Sequence, residues 1–164
     1  MPKSFNLRLH PIRRFRSIPR EPLAALIRFL MARAGRAAPD REWRELDVIL
    51  TDHAGIVEYN RASFGRDDIT DVISLTYAPA PGLPGWSGEV IVNAELACEL
   101  GPRFGGAPRE LALYLAHGCD HLTGGVDDTP AERQRMRRRE RRWLADADGA
   151  GLLAPLGAIQ AGRS

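Results

Sequence analysis

Apolar positions recur along this chain with two periods, and each period marks a different kind of element. Leu23, Leu26, Ile27 and Leu30 share one face at helical spacing, so residues 22–34 read as an amphipathic helix that Gly35 stops. Residues 6–10 read as a short strand. Residues 46–50, 69–77 and 89–93 are short runs rich in apolar β-formers, which predicts a small sheet. One short helix is predicted over residues 54–63. Pro79, Pro81, Gly82, Pro84 and Gly85 break both periods, so residues 78–87 form a loop between two strands.

The second half of the chain is more helical. The run from Leu111 to Ala116 is almost continuously apolar, which predicts a helix buried on most sides, opening at Pro108 and ending near Leu122. Gly124 and Gly125 supply the backbone freedom to stop it and turn the chain. Pro130 then opens a long arginine-rich helix ending around Leu144. Beyond Asp148 the sequence loses all periodicity, and residues 149–164 are expected to form a loosely ordered tail. These elements predict an α+β fold over residues 1–148, a small mixed β-sheet packed against helices in a single domain.

Composition supports a globular chain. At 164 residues, 44% hydrophobic and 27% charged, it is long enough to bury a core and too apolar for general disorder. No apolar stretch approaches the roughly 20 residues of a membrane span, and the basic amino end lacks the apolar segment of a secretory signal. Two cysteines, Cys98 and Cys119, are too few to staple the fold, which points to a reducing cytoplasm. The net charge of +2 says little, but its distribution says more. Arg13, Arg14, Arg16 and Arg20 crowd the amino end, and an arginine run from 133 to 142 is broken by a few residues, including Glu140. Such runs are solvated helix faces or nucleic-acid contacts.

Candidate chemistry centres on His117 and His121, two of four histidines, spaced one helical turn apart. That spacing sets both imidazoles on one face, where they can hold a single ion, at the carboxyl-terminal end of the buried central helix. Two ordinary polar residues near a helix end would look similar. A glycine exit followed at once by acids shifts the balance toward a metal site, with Asp127 or Asp128 as third ligand. No cysteine pair has the spacing of a structural zinc site, so an open coordination position is favoured, as in sites that acidify water to a pKa of about 7. Gly118 stands where peptidases of the H-E-x-x-H type carry glutamate, which argues against peptide cleavage by that route. Asp120 projects away from the face the histidines share.

The run from His117 to Asp127, HGCDHLTGGVD, resembles the signature H-G-x-L-H-L-x-G-Y-D-H of the YbeY family, bacterial endoribonucleases of ribosomal RNA maturation. Thr70-Asp71-Val72-Ile73-Ser74 and Gly88-Glu89-Val90-Ile91 resemble two further blocks of that family, in the same order. The resemblance implies a metal-dependent, single-strand-directed endoribonuclease of rRNA processing and ribosome quality control, partnered by ribosomal RNA and the small subunit. It implies His117, His121 and Asp127 as metal ligands, with aspartate replacing the family's third histidine. An anionic ligand favours harder ions somewhat more, so Zn2+ is expected with Mn2+ or another divalent ion competing. Phe64 falls where the family carries an arginine implicated in activity, and Arg61 and Arg66 are its candidate replacements. Arg133, Arg137 and Arg141 are candidate RNA-backbone contacts. Trp86 and Tyr77 flank the proline-glycine loop as candidate stacking residues, with Tyr77 expected in the core. The rival readings are a non-catalytic ribosome-associated RNA-binding or assembly factor whose metal braces the fold, and a hydrolase of some small substrate.

Overall fold

Alternation along the strands decides which side chains form the core. In the computed structural model, which describes residues 5–11, 15, 17–157 and 159, Leu46, Val48 and Leu50 of strand β2 (Trp43–Thr51) are buried on one face of a sheet. Arg13, Arg14 and Arg16 of the basic amino end lie outside the described residues. The sheet is mixed and four-stranded, in the order β1 (Asn6–Pro11), β2, β4 (Trp86–Asn93), β3 (Val72–Tyr77). β1 and β4 run parallel to β2, whereas β3 runs antiparallel to β4 across the proline-glycine connection.

Helices cover the two faces unequally. α1 (Arg20–Ala34), α3 (Ala94–Leu100), α4 (Ala107–Leu122) and α5 (Pro130–Gly149) contribute to the main core with Leu46, Val48, Val90 and Val92. α2 (His53–Phe64) lies on the opposite face, where Ile56 meets Ile73 and Ile91. Each fully buried leucine of the main core, such as Leu26, Leu111 or Leu115, contributes about 2 kcal/mol through the apolar area it removes from water. The architecture is therefore α+β.

Gly118 sets how closely α4 approaches the sheet. A Cβ there would lie 2.7 Å from Val90 Cγ1, so any larger residue would push helix and strand apart. Ser74 Oγ donates to the Gly118 carbonyl at 3.1 Å, tying β3 to the turn of α4 that carries the histidine pair.

The carboxyl end departs from expectation. α5 opens with a capping box between Thr129 and Glu132 and runs on to Gly149, past the end expected near Leu144. Within the stretch expected to be loose, Leu153, Leu156 and Ile159 are buried in the main core around a short 3-10 turn, while residues 158 and 160–164 lie outside the described residues. Three apolar residues spaced by three are too few to register as a period, yet they suffice to anchor a segment. α3 was not anticipated, because it starts directly at the end of β4, where the Asn93 side chain accepts from Leu96 N–H and caps it. Tyr77, expected in the core, is 47% exposed at the end of edge strand β3.

Candidate metal centre

The last turns of α4 present His117 and His121 side by side, with ring centroids 4.5 Å apart and their Nε2 atoms 3.1 Å apart. Asp127, delivered by the turn after the helix, places Oδ2 3.7 Å from His117 Nε2 and 3.6 Å from His121 Nε2. Donors on a tetrahedral zinc with bonds of about 2.0–2.1 Å are separated by about 3.3 Å, so the three atoms have the span of one face of such a site. Asp128 does not join this group; its backbone carbonyl accepts from Arg133 instead.

Hydrogen bonds at the far side of each ring assign the tautomers. His121 Nδ1 donates to the Gly125 carbonyl at 3.0 Å, and His117 Nδ1 donates to Glu140 Oε1 at 2.7 Å. Both Nε2 atoms thereby direct lone pairs toward the same point as the Asp127 carboxylate. Three electron-rich atoms at this separation repel one another unless a cation lies between them, and the donor set fits a divalent ion. Burial disfavours the charged form of His117, but the hydrogen bond and charge of Glu140, with Asp71 and Asp127, outweigh burial and raise its pKa. That field of anions equally favours a bound dication.

Support for the centre comes from α5. Glu140 is 2% exposed and its carboxylate is committed to His117. Arg133 donates through one nitrogen to the carbonyls of Asp127 (3.0 Å) and Asp128 (3.1 Å), fixing the loop that carries the third candidate donor. Arg139 grips both oxygens of Asp120, at 2.9 and 2.8 Å. Burial pushes the Asp120 carboxyl pKa up against the pull of Arg139, in keeping with a residue only 1% exposed. Asp120 is thus a buttress and not a ligand. Its carbonyl accepts from Gly125 N–H at 2.9 Å, and a Cβ on Gly125 would meet its Oδ1 at 2.3 Å, so the turn toward Asp127 requires glycine there.

Beside the centre lies a cavity of about 350 Å³, lined by His117, Asp127, Glu140 and Asp71. Arg133, Arg137 and Arg141 also line it, so the three arginines singled out in the sequence share the stripe of α5 that faces the cavity. Arg61 and Arg66 do not reach it. Arg61 Nε is bound to Asp67 Oδ1 at 2.6 Å, Arg66 is exposed, and Phe64 at the end of α2 is 55% exposed. Trp86 carries the Arg41 guanidinium 4.3 Å from its ring centre, and Arg41 also donates to the Leu122 carbonyl at the end of α4. Glu140, Arg139 and Asp71 were not anticipated as part of the site. Glu140 leaves a signal as an acid on the same helical stripe as buried Met136, Trp143 and Ala147, and Asp71 leaves one as part of the Thr70–Ser74 block.

A second group, His53, Glu95 and Glu99, also brings three donor atoms together. Its histidine is set the other way round. The Asn93 side-chain oxygen accepts from Leu96 N–H, so its amide nitrogen faces His53 Nδ1 at 2.9 Å and donates to it. The proton of neutral His53 then sits on Nε2, which donates to Glu99 Oε1 at 3.1 Å. This group lacks the inward lone pair that binds a metal.

Comparison with known proteins follows the same lines. The family model described as Endoribonuclease YbeY matches residues 12–148. An Endoribonuclease YbeY from Anaeromyxobacter sp. (strain Fw109-5) is 36% identical over 121 residues, covering 72% of this chain and 62% of the relative. The Anaeromyxobacter dehalogenans counterpart is 36% identical over 132 residues, 77% of this chain and 66% of its own length. The chain thus spans slightly under two thirds of these two relatives. The Endoribonuclease YbeY of Moorella thermoacetica, 34% identical over 142 residues, is covered to 88% of its length by 80% of this chain. A solution structure of a Thermotoga maritima protein matches 98% of this chain and 100% of its own with a TM-score of 0.61 at 20% identity, a likeness of fold. By the extent of the family match and by the near-complete Moorella relative, this chain belongs to the YbeY family.

Proposed function

We propose that the chain is a metal-dependent endoribonuclease directed at single-stranded RNA, acting in ribosomal RNA processing and ribosome quality control in the cytoplasm, with the small ribosomal subunit as its setting. The observation that carries this reading is the convergence of His117 Nε2, His121 Nε2 and Asp127 Oδ2 at the wall of an open cavity. A Zn2+ ion held there supplies Lewis acidity toward a phosphoryl oxygen and makes water nucleophilic at neutral pH. The protein's part is to fix the donors. Glu140 and the Gly125 carbonyl hold both rings in the tautomer that presents Nε2, and Arg133 holds the backbone of Asp127. With a carboxylate as third donor, Mn2+ competes better for this site than for one built of three histidines. Arg133, Arg137 and Arg141 line the approach and supply backbone contacts to RNA.

Incubating metal-loaded protein with structured ribosomal RNA, alongside generic ester and peptide substrates, tests this reading. RNA cleavage by wild type that disappears in Asp127→Ala supports it, whereas cleavage that persists in metal-stripped protein refutes it. One observation favours a second reading, an RNA-binding assembly factor with a structural metal: the resemblance implies an arginine where Phe64 stands, and neither Arg61 nor Arg66 lines the cavity. Global unfolding of His121→Ala supports that reading. A folded, RNA-binding but inactive His121→Ala supports the enzyme.

A further inference from the structure

A charge count around the centre exposes a need that the ligands do not meet. A bound dication would be offset by the carboxylates of Asp127 and Glu140, and Asp71 on the cavity wall adds another negative charge. The immediate surroundings of the ion therefore carry no surplus positive charge with which to hold a phosphodiester. Neighbouring arginines are mostly committed elsewhere. Arg133 is bound to two backbone carbonyls, Arg139 to the Asp120 carboxylate and Arg61 to Asp67.

Two cavity-lining arginines are left. Arg137 and Arg141 make no hydrogen bond or ion pair among the described residues, and both are exposed at the mouth of the cavity. They stand one turn apart on α5, which puts their Cβ atoms about 6 Å from each other on one face. The helix that bears them is itself fixed, through Glu140 to His117 and through Arg139 to Asp120. Guanidinium groups on such a frame are positioned to take phosphate oxygens in paired hydrogen bonds.

We infer that Arg137 and Arg141 form an anion subsite on the α5 wall of the metal cavity, which grips the RNA phosphodiester and offsets its charge beside the ion. The catalytic half of this inference rests on the endoribonuclease reading; the anion contact does not. Arg133 lines the same cavity, but it also holds the loop of Asp127, so its loss would not report on the anion contact alone. The clamp thus lies on a different helix from Phe64.

The test uses the full-length, metal-loaded protein and a labelled single-stranded RNA oligonucleotide, with binding followed by anisotropy over a range of salt. Arg137→Ala and Arg141→Ala are compared with Arg135→Ala, which removes the same charge from α5 at an exposed position off the cavity lining. Metal content of every variant shows that the centre is intact. The subsite predicts that each cavity variant lowers the slope of log affinity against log salt by about 0.7, the value for one lost phosphate contact on a single strand. It also predicts a fall in kcat of about 10²-fold, not repaired by Arg137→Lys, while Arg135→Ala stays near wild type. Equal salt slopes in wild type and both cavity variants overturn the inference, as does an equal loss in Arg135→Ala. If wild type binds but does not cut, the endoribonuclease reading fails while the salt slopes still decide the subsite. RNA binding too weak to measure in wild type overturns both.

Discussion

Two groups, His117, His121 and Asp127, and His53, Glu95 and Glu99, each bring three metal-type donors within reach of a single ion. Their chemistry differs because of what lies behind the rings. At the first group an acceptor sits behind each Nδ1, the Glu140 carboxylate for His117 and the Gly125 carbonyl for His121, so both Nε2 lone pairs point inward. At the second group a donor, the Asn93 amide, sits behind Nδ1, and the proton is driven to the inward-facing nitrogen. A ligand site is defined by the partner of the distal nitrogen as much as by the residues that converge.

Several substitutions would break or sharpen this contrast. The largest effect is expected from His121→Ala, which should lose the bound ion outright, as mass spectrometry of protein purified without chelators would record. Retention of a full equivalent of metal would mean that the second group holds it. Next, Arg139→Ala would leave the Asp120 carboxylate buried without its partner. A loss of about 3 kcal/mol in denaturant unfolding is expected, at the low end for a broken buried pair because Arg139 is itself partly exposed. Stability within about 0.5 kcal/mol of wild type would show that the buttress is dispensable.

Replacing Glu140 by Gln keeps the shape and an acceptor behind His117 but removes the charge. A 10- to 100-fold weaker zinc affinity is expected in competition with a chromophoric chelator. An unchanged affinity would assign the ordering of His117 to packing alone. Asn93→Asp should invert the second group: an acceptor behind His53 Nδ1 turns its Nε2 lone pair inward and yields a second, weaker equivalent of bound Zn2+ or Co2+ in titration. Absence of that second equivalent would mean that ring orientation does not control the site. The smallest effect is expected from His53→Ala, whose metal content should equal that of wild type.

The arginines show the same dependence on partners. Arg61 lies three residues from Phe64 in sequence and looked able to replace the family's guanidinium, yet Asp67 holds it at the surface. Arg137 and Arg141, distant in sequence, line the cavity. Arg61 sits on α2, which packs against Ile73 and Ile91, whereas Arg137 and Arg141 sit on α5, which packs on α4 and α1 beside the histidine pair.

Sequence alone determined the short-range part of this protein. Helical periodicity put His117 and His121 on one face, two glycines turned the chain, and Asp127 follows within a few residues, so their meeting needs little beyond backbone geometry. Alternating apolar runs likewise located the strands and the α+β class. Tertiary structure alone decided which proton each imidazole keeps, through Glu140 from α5 and Asn93 from the end of β4. It also decided which arginines remain free, and it drew Leu153, Leu156 and Ile159 into the core where no pattern announced them. Those outcomes depend on contacts between segments far apart in the chain, and the energies that fix them exist only once the helices have packed on the sheet.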